Sequence, residues 1–210
     1  MEKLTTPVRV LIADDHEILR QGIVSVLSTV EGIDVAGQAG SAEMAVSLFK
    51  QLRPDVTVID LNMPEMGGLE AIKAIRCINR DARILALTTY QGDMLAREVL
   101  AAGASGYMIK SAMRKELIEA IQNIANGFKH ISVDVALELG QYFDSDLLSK
   151  REVEVLRYVA DGNTNKRIGE VLALSEETIK SHLKAILAKT NARDRTHAVT
   201  IALKRGILRV

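Results

Sequence analysis

Acids, hydroxyls and one lysine recur at the same kind of place in this sequence, directly after a short β-prone run. Asp14 and Asp15 follow Val8-Arg9-Val10-Leu11-Ile12-Ala13, and Asp60 closes Val56-Thr57-Val58-Ile59. Thr88 and Thr89 follow Ile84-Leu85-Ala86-Leu87, and Lys110 follows Gly106-Tyr107-Met108-Ile109. Such runs, bounded by turn signals, predict strands buried on both faces, as in a parallel sheet. The carboxyl ends of parallel strands share one edge, where the loops leave a crevice for ligands. Asp14, Asp15 and Asp60 then converge, and three carboxylates so close either take up a proton or are joined by a cation. Hard oxygen donors of this kind suit Mg²⁺. A hydroxyl and a lysine on the same edge are what a phosphoryl group on Asp60 needs for hydrogen bonding and charge neutralisation. Taken alone the acid pair also reads as a helix cap; Asp60 tips the balance toward a metal site.

The elements that position these residues alternate. Ile33-Asp34-Val35-Ala36-Gly37 predicts a further strand, while Ala42, Ala45, Val46, Phe49 and Leu52, and then Leu117, Ile118, Ile121, Ile124 and Ala125, recur at helical spacing. The β-α order repeats five times, which predicts an α/β fold with a five-stranded parallel sheet of flavodoxin-like order and helices on both faces. Gly37-Gln38-Ala39-Gly40 does not fit the dinucleotide-binding fingerprint and reads as turn glycines. Asn126-Gly127 ends the alternation, and residues 128–146 read as a linker with a weak helical pattern.

Beyond it the pattern is all helical. Ser149-Lys150-Arg151-Glu152 is a capping box ahead of an apolar stripe, Asp161-Gly162-Asn163 stops that helix, and a second runs from Thr164 to about Leu172. After the turn Ala173-Leu174, Ser175 caps a third helix, so the segment has the helix-turn-helix pattern. In that third helix Ile179, Leu183, Ile186 and Leu187 form the inward stripe, leaving Glu177, Lys180, Ser181, Lys184 and Ala188 outside, a face suited to a DNA major groove. A last helix, about Asp194 to Arg205, presents Ala198, Val199, Ala202 and Leu203, more apolar surface than so small a domain is expected to shield. Charge agrees with a division of labour: residues 149–210 carry 13 basic and 7 acidic side chains, residues 1–129 carry 14 and 16. The single Cys77 excludes a disulfide framework and reads as a buried or idle thiol. No apolar run approaches the roughly 18 residues of a membrane span and there is no signal-peptide core, so no membrane is expected and a cytoplasmic location is.

On these strand-end residues, residues 7 to 127 resemble the receiver domain of bacterial two-component response regulators. The resemblance implies Asp60 as phospho-acceptor, Lys110 as its lysine, Thr88 as switch hydroxyl and Tyr107 as aromatic switch residue. It implies Mg²⁺ (or Mn²⁺) held by Asp14, Asp15, Asp60 and the backbone carbonyl of Asn62, with Thr88 and Tyr107 moving inward on phosphorylation. Many receivers have a cis proline after the lysine; here Ser111 follows, and since cis costs a non-proline about 2.5–4 kcal/mol the geometry there stays open. Leu148 to Leu156, Asn165-Lys166-Arg167-Ile168 and Leu174 to His182 resemble the LuxR-type tetrahelical DNA-binding domain, and the two together resemble the NarL/FixJ class. That match implies Lys180, Ser181 and Lys184 as base readers, with Thr178, Lys166 and His182 touching phosphates or supporting the helix, and dimerisation through the last helix. The expected organisation is a receiver domain (1–127), a linker (128–146) and a helix-turn-helix domain (147–210). The expected partners are a sensor histidine kinase, promoter DNA and a second copy, with RNA polymerase a further candidate. The chain then acts as a transcription regulator rather than a metabolic enzyme. A haloacid-dehalogenase-type phosphohydrolase needs a second Asp two residues after its nucleophile, where this chain has Asn62, and a regulator independent of phosphorylation has no use for the full set of acceptor-site residues.

Overall fold

The computed structural model describes residues 6–89, 92–141 and 148–208. They form two compact units, the first from residues 6–89 and 96–136 and the second from the other described residues. The first is a parallel sheet with strands β1 (Val8–Ala13), β2 (Ile33–Ala39), β3 (Val56–Asp60), β4 (Ile84–Thr88), β5 (Gly106–Ile109) and β6 (His130–Ile131), in the order β2-β1-β3-β4-β5-β6. Helices α1 (Glu17–Leu27), α2 (Ala42–Leu52), α3 (Gly68–Ile78), α4 (Asp93–Ala101) and α5 (Met113–Ala125) connect the strands.

β3, β4 and β5 are buried at every residue, because helices cover both faces and period-2 alternation has no solvent side to mark. Val10, Ile12, Val56, Val58, Leu85, Leu87 and Met108 meet Ile23 and Leu27 of α1 and Leu117, Ile121 and Ile124 of α5. The alternate positions Leu11, Ile59 and Ala86 point the other way, toward the side left for the buried Phe49 of α2 and Ile72 and Ile75 of α3.

The sheet has six strands rather than the expected five. After Gly127, at φ +87, the chain turns back and His130–Ile131 pair in parallel with Gly106–Tyr107. The His130 and Ser132 amides donate to the Ser105 and Tyr107 carbonyls, both at 3.1 Å, so β5 does not remain an unprotected edge. Two residues are too few to show a period, which is why this strand is silent in the sequence. The sheet thus extends into the segment read as linker, and α6 (Val133–Gln141) follows within it; the expected boundary at 146/147 lies outside the described residues. One further reading is corrected and another narrowed. Gly37 lies inside β2, at a register shift against Val10/Leu11, not in a turn. Cys77 is exposed on α3, which rules out the buried alternative and leaves the idle thiol.

The second unit contains α7 (Lys150–Ala160), α8 (Asn165–Leu172), α9 (Glu176–Thr190) and α10 (Arg195–Lys204). The capping box at Ser149/Glu152 is formed, and Thr164, Ser175 and Asp194 cap the next three helices through their side chains. Its core is Val155, Leu156, Val159, Ile168, Ile179, Ile186, Ala198, Ala202 and Leu208. Ala198 and Ala202 of α10 are shielded within the unit, because small side chains let α10 approach α7 and α9 closely, while Leu203 stays exposed, so the unit does not cover the whole apolar stripe of this helix.

Candidate functional site: an acidic strand edge and a basic helix face

Strand register brings the predicted residues together. Ala13 pairs with Ile59, so Asp14 and Asp60 follow side by side; Asp60 itself pairs with Leu87, and Thr88 pairs with Ile109, one residue before Lys110. Asp14, Asp60 and Thr88 are completely buried. Lys110 Nζ lies 2.8 Å from Asp14 Oδ2 and 2.8 Å from Asp60 Oδ2, so one ammonium is shared by two carboxylates. The Asn62 amide donates to Asp60 Oδ1 at 3.2 Å, and Asn62 Nδ2 donates to Thr89 Oγ1 at 3.0 Å, tying the loop after β3 to the end of β4.

Burial dominates the electrostatics. It holds the Asp60 carboxyl above the ordinary aspartate range even though Lys110 and the Asn62 amide pull the other way. For Lys110 burial is again the largest single influence and disfavours the charge, but Asp14 and Asp60 together outweigh it and raise its pKa. Asp14, Asp15, His16 and Asp60 each offer a donor atom, all within 4.8 Å of one another. Asp14 Oδ2 is held by Lys110, whereas Asp15 Oδ1 is buried with no hydrogen-bond partner among the described residues. A buried carboxylate oxygen left in that condition fits a cation site.

Three positioning features were not anticipated. Arg20 Nη1 donates to the Asp14 carbonyl at 2.6 Å, fixing the loop after β1. A Cβ added at Gly68 would collide with the Asp60 carbonyl oxygen, so only glycine lets α3 start against the end of β3. His16, next to the acid pair in sequence, joins its cluster, which corrects the expectation that none of the four histidines belongs to a metal-binding group. Tyr107 and Thr88, the two residues expected to act as the switch, are both fully buried. The Lys110–Ser111 peptide is trans.

In the helical unit Glu177, Lys180, Ser181, Lys184 and Ala188 all lie on the exposed face of α9, and Lys166 is exposed on α8. Thr178 and His182 are half-buried; Thr178 Oγ1 is 2.8 Å from the capping Ser175 Oγ, which gives it a local supporting contact. Lys180 pairs with Glu177 at 3.3 Å and Glu176 at 3.6 Å, whereas Lys184 has no ion-pair partner among the described residues. Ala173 adopts the left-handed conformation at φ 54 to turn the chain between α8 and α9. A Cβ at Gly169 would meet the Leu174 carbonyl oxygen at 2.7 Å, so this glycine admits the turn against α8.

The family model described as response regulator receiver domain matches residues 10–122, and that of bacterial regulatory proteins, luxR family, matches residues 146–202. The chain is a two-component response regulator. Its helical unit is of LuxR type, which places it in the NarL/FixJ class. It is 35% identical to the nitrate/nitrite response regulator protein NarP of Escherichia coli over 95% of this chain and 96% of that one. It is 32% identical to the response regulator GacA of Pseudomonas aeruginosa, over 96% and 98%. Among solved structures it resembles that of the two-component response regulator RcsB–DNA complex, with TM-score 0.74 and 27% identity over 95% of this chain and 99% of that one. This response regulator thus joins a receiver to a DNA-binding domain. No helix among the described residues is long and apolar enough to cross a membrane.

Proposed function

We propose that Asp60 accepts a phosphoryl group from a sensor histidine kinase and that this controls homodimerisation and sequence-specific binding of promoter DNA, so that transcription follows the kinase signal. The observation that carries the reading is the shared ammonium: Lys110 spans Asp14 and Asp60 at 2.8 Å each, at the strand edge where the acids gather. In this reading Asp60 is the nucleophile. Lys110 retains Asp14 as a partner while it donates to a phosphoryl oxygen, and Thr88, ending the neighbouring strand, supplies a hydroxyl to another. Asp14, Asp15, Asp60 and the Asn62 carbonyl would hold Mg²⁺ or Mn²⁺, which when bound supplies charge neutralisation beside the acceptor. Thr88 and Tyr107, on neighbouring strands, would act together as the switch.

On the DNA side, Lys184 and Ser181 read base edges, joined by Lys180 once it leaves Glu177 and Glu176; Lys166 and Thr178 touch phosphates, and His182 supports the helix. RcsB is seen on DNA in its solved complex, and a chain of the same build working on promoters belongs in the cytoplasm. The test is Asp60→Asn in full-length protein. Wild type gains dimer and promoter affinity with a small-molecule phosphodonor, while the variant folds, binds weakly and does not respond. Equal response in both proteins contradicts the proposal.

A further inference from the structure

We propose that His16 is a nitrogen ligand of the divalent-ion site and biases it away from Mg²⁺ toward first-row transition dications; this rests on the reading of Asp14, Asp15 and Asp60 as a metal site. Nδ1 of His16 lies 3.0 Å from Asp15 Oδ1 and 3.3 Å from Asp14 Oδ1. Despite that proximity Asp15 Oδ1 is buried without a hydrogen bond, so the ring stands beside the carboxylate without satisfying it.

The ordinary structural duty of this position does not explain the side chain. His16 is the N-cap of α1, where Ser, Thr, Asp or Asn would accept from a first-turn amide, and its side chain makes no capping bond. Its backbone amide donates to Asp14 Oδ1 at 2.8 Å, which fixes the residue next to the acid pair. The side chain is 65% exposed and able to turn.

Donors bound to one ion at about 2.1 Å lie at most about 4.2 Å apart. The donor atoms of Asp14, Asp15, His16 and Asp60 lie within 4.8 Å of one another, close to the spread that the donors of one ion require. Three carboxylates, a carbonyl and waters form an oxygen site that suits Mg²⁺; replacing one water by neutral imidazole adds little for Mg²⁺ and much for Co²⁺, Ni²⁺ or Zn²⁺. The competing reading, an imidazole that merely covers the acids, leaves metal preference untouched.

The experiment titrates metal-free full-length protein with Mg²⁺ and with Co²⁺ by calorimetry, wild type against His16→Ala, and records electron spin echo modulation from the Mn²⁺-loaded proteins. The expected result is a Co²⁺-over-Mg²⁺ preference that falls by about 10-fold or more in the variant, with Mg²⁺ affinity kept and the ¹⁴N modulation of the wild type lost. An unchanged preference with Mg²⁺ still bound overturns the role of His16 alone. Failure of the wild type to bind either ion overturns the metal site and the role of His16 together.

Discussion

Lys110→Met removes the one cation between two buried carboxylates. Asp14 and Asp60 are fully buried and the Lys110 side chain is 10% exposed. Breaking a buried pair by deleting one partner costs about 3–5 kcal/mol. Here two acids are stranded, but one relieves the other by taking up a proton, so the loss belongs at the lower end, about 3 kcal/mol. The sign with pH follows from Asp60, whose folded pKa is raised by burial. Below its unfolded pKa both states are protonated and there is no penalty; the penalty grows as pH rises through the unfolded and then the folded value. The variant is therefore expected to be more nearly normal in acid than at neutral pH. Hydrogen–deuterium exchange of peptides covering β1, β3 and β5 reads the sheet unit separately from the helical one, and about 3 kcal/mol appears as roughly 100-fold faster exchange. Adding Asp60→Asn should restore about half of the loss. Unchanged exchange in Lys110→Met, or no recovery in the double variant, would refute the shared-ammonium account.

Other outcomes follow from single contacts. Because the acceptor must be anionic and its pKa is raised, labelling by a small-molecule phosphodonor should fall in acid with a midpoint above the ordinary aspartate value of about 3.9, read from a pH–rate profile. Gly169→Ala gains about 1 kcal/mol of helix propensity, yet its Cβ meets the Leu174 carbonyl at 2.7 Å. The helical unit should lose about 1 kcal/mol net, measured by calorimetry. Lys184→Ala should weaken binding to a promoter fragment and lower the salt slope by about 1 if it meets a phosphate, or relax sequence preference if it meets a base. Lys180→Ala should do less, since Glu177 and Glu176 already half-neutralise that lysine.

The strand ends were legible because chemistry and hydrophobicity change there together: Asp60 after Val56–Ile59 and Lys110 after Gly106–Ile109 stand out on any reading, and parallel topology then leaves them one edge to share. The helix-turn-helix was legible through the caps Ser149 and Ser175 and the helix start at Thr164. What stayed hidden depends on close approach rather than pattern. Gly68 looks like one glycine of a turn until its neighbour, the Asp60 carbonyl, is in place. β6 is too short for a period, and His16 is simply the residue after the acid pair until its ring is seen against Asp14 and Asp15. The shielding of Ala198 and Ala202 is likewise a matter of how four helices meet.

The most direct test of the central claim is to map the modification. Wild-type protein is incubated with a small-molecule phosphodonor and Mg²⁺, the acyl phosphate is trapped by borohydride reduction, and the peptides are sequenced by mass spectrometry. A single modified residue at Asp60, lost in Asp60→Asn and strongly reduced in Lys110→Met, is the expected result. Modification elsewhere, or equal labelling in Asp60→Asn, would contradict it.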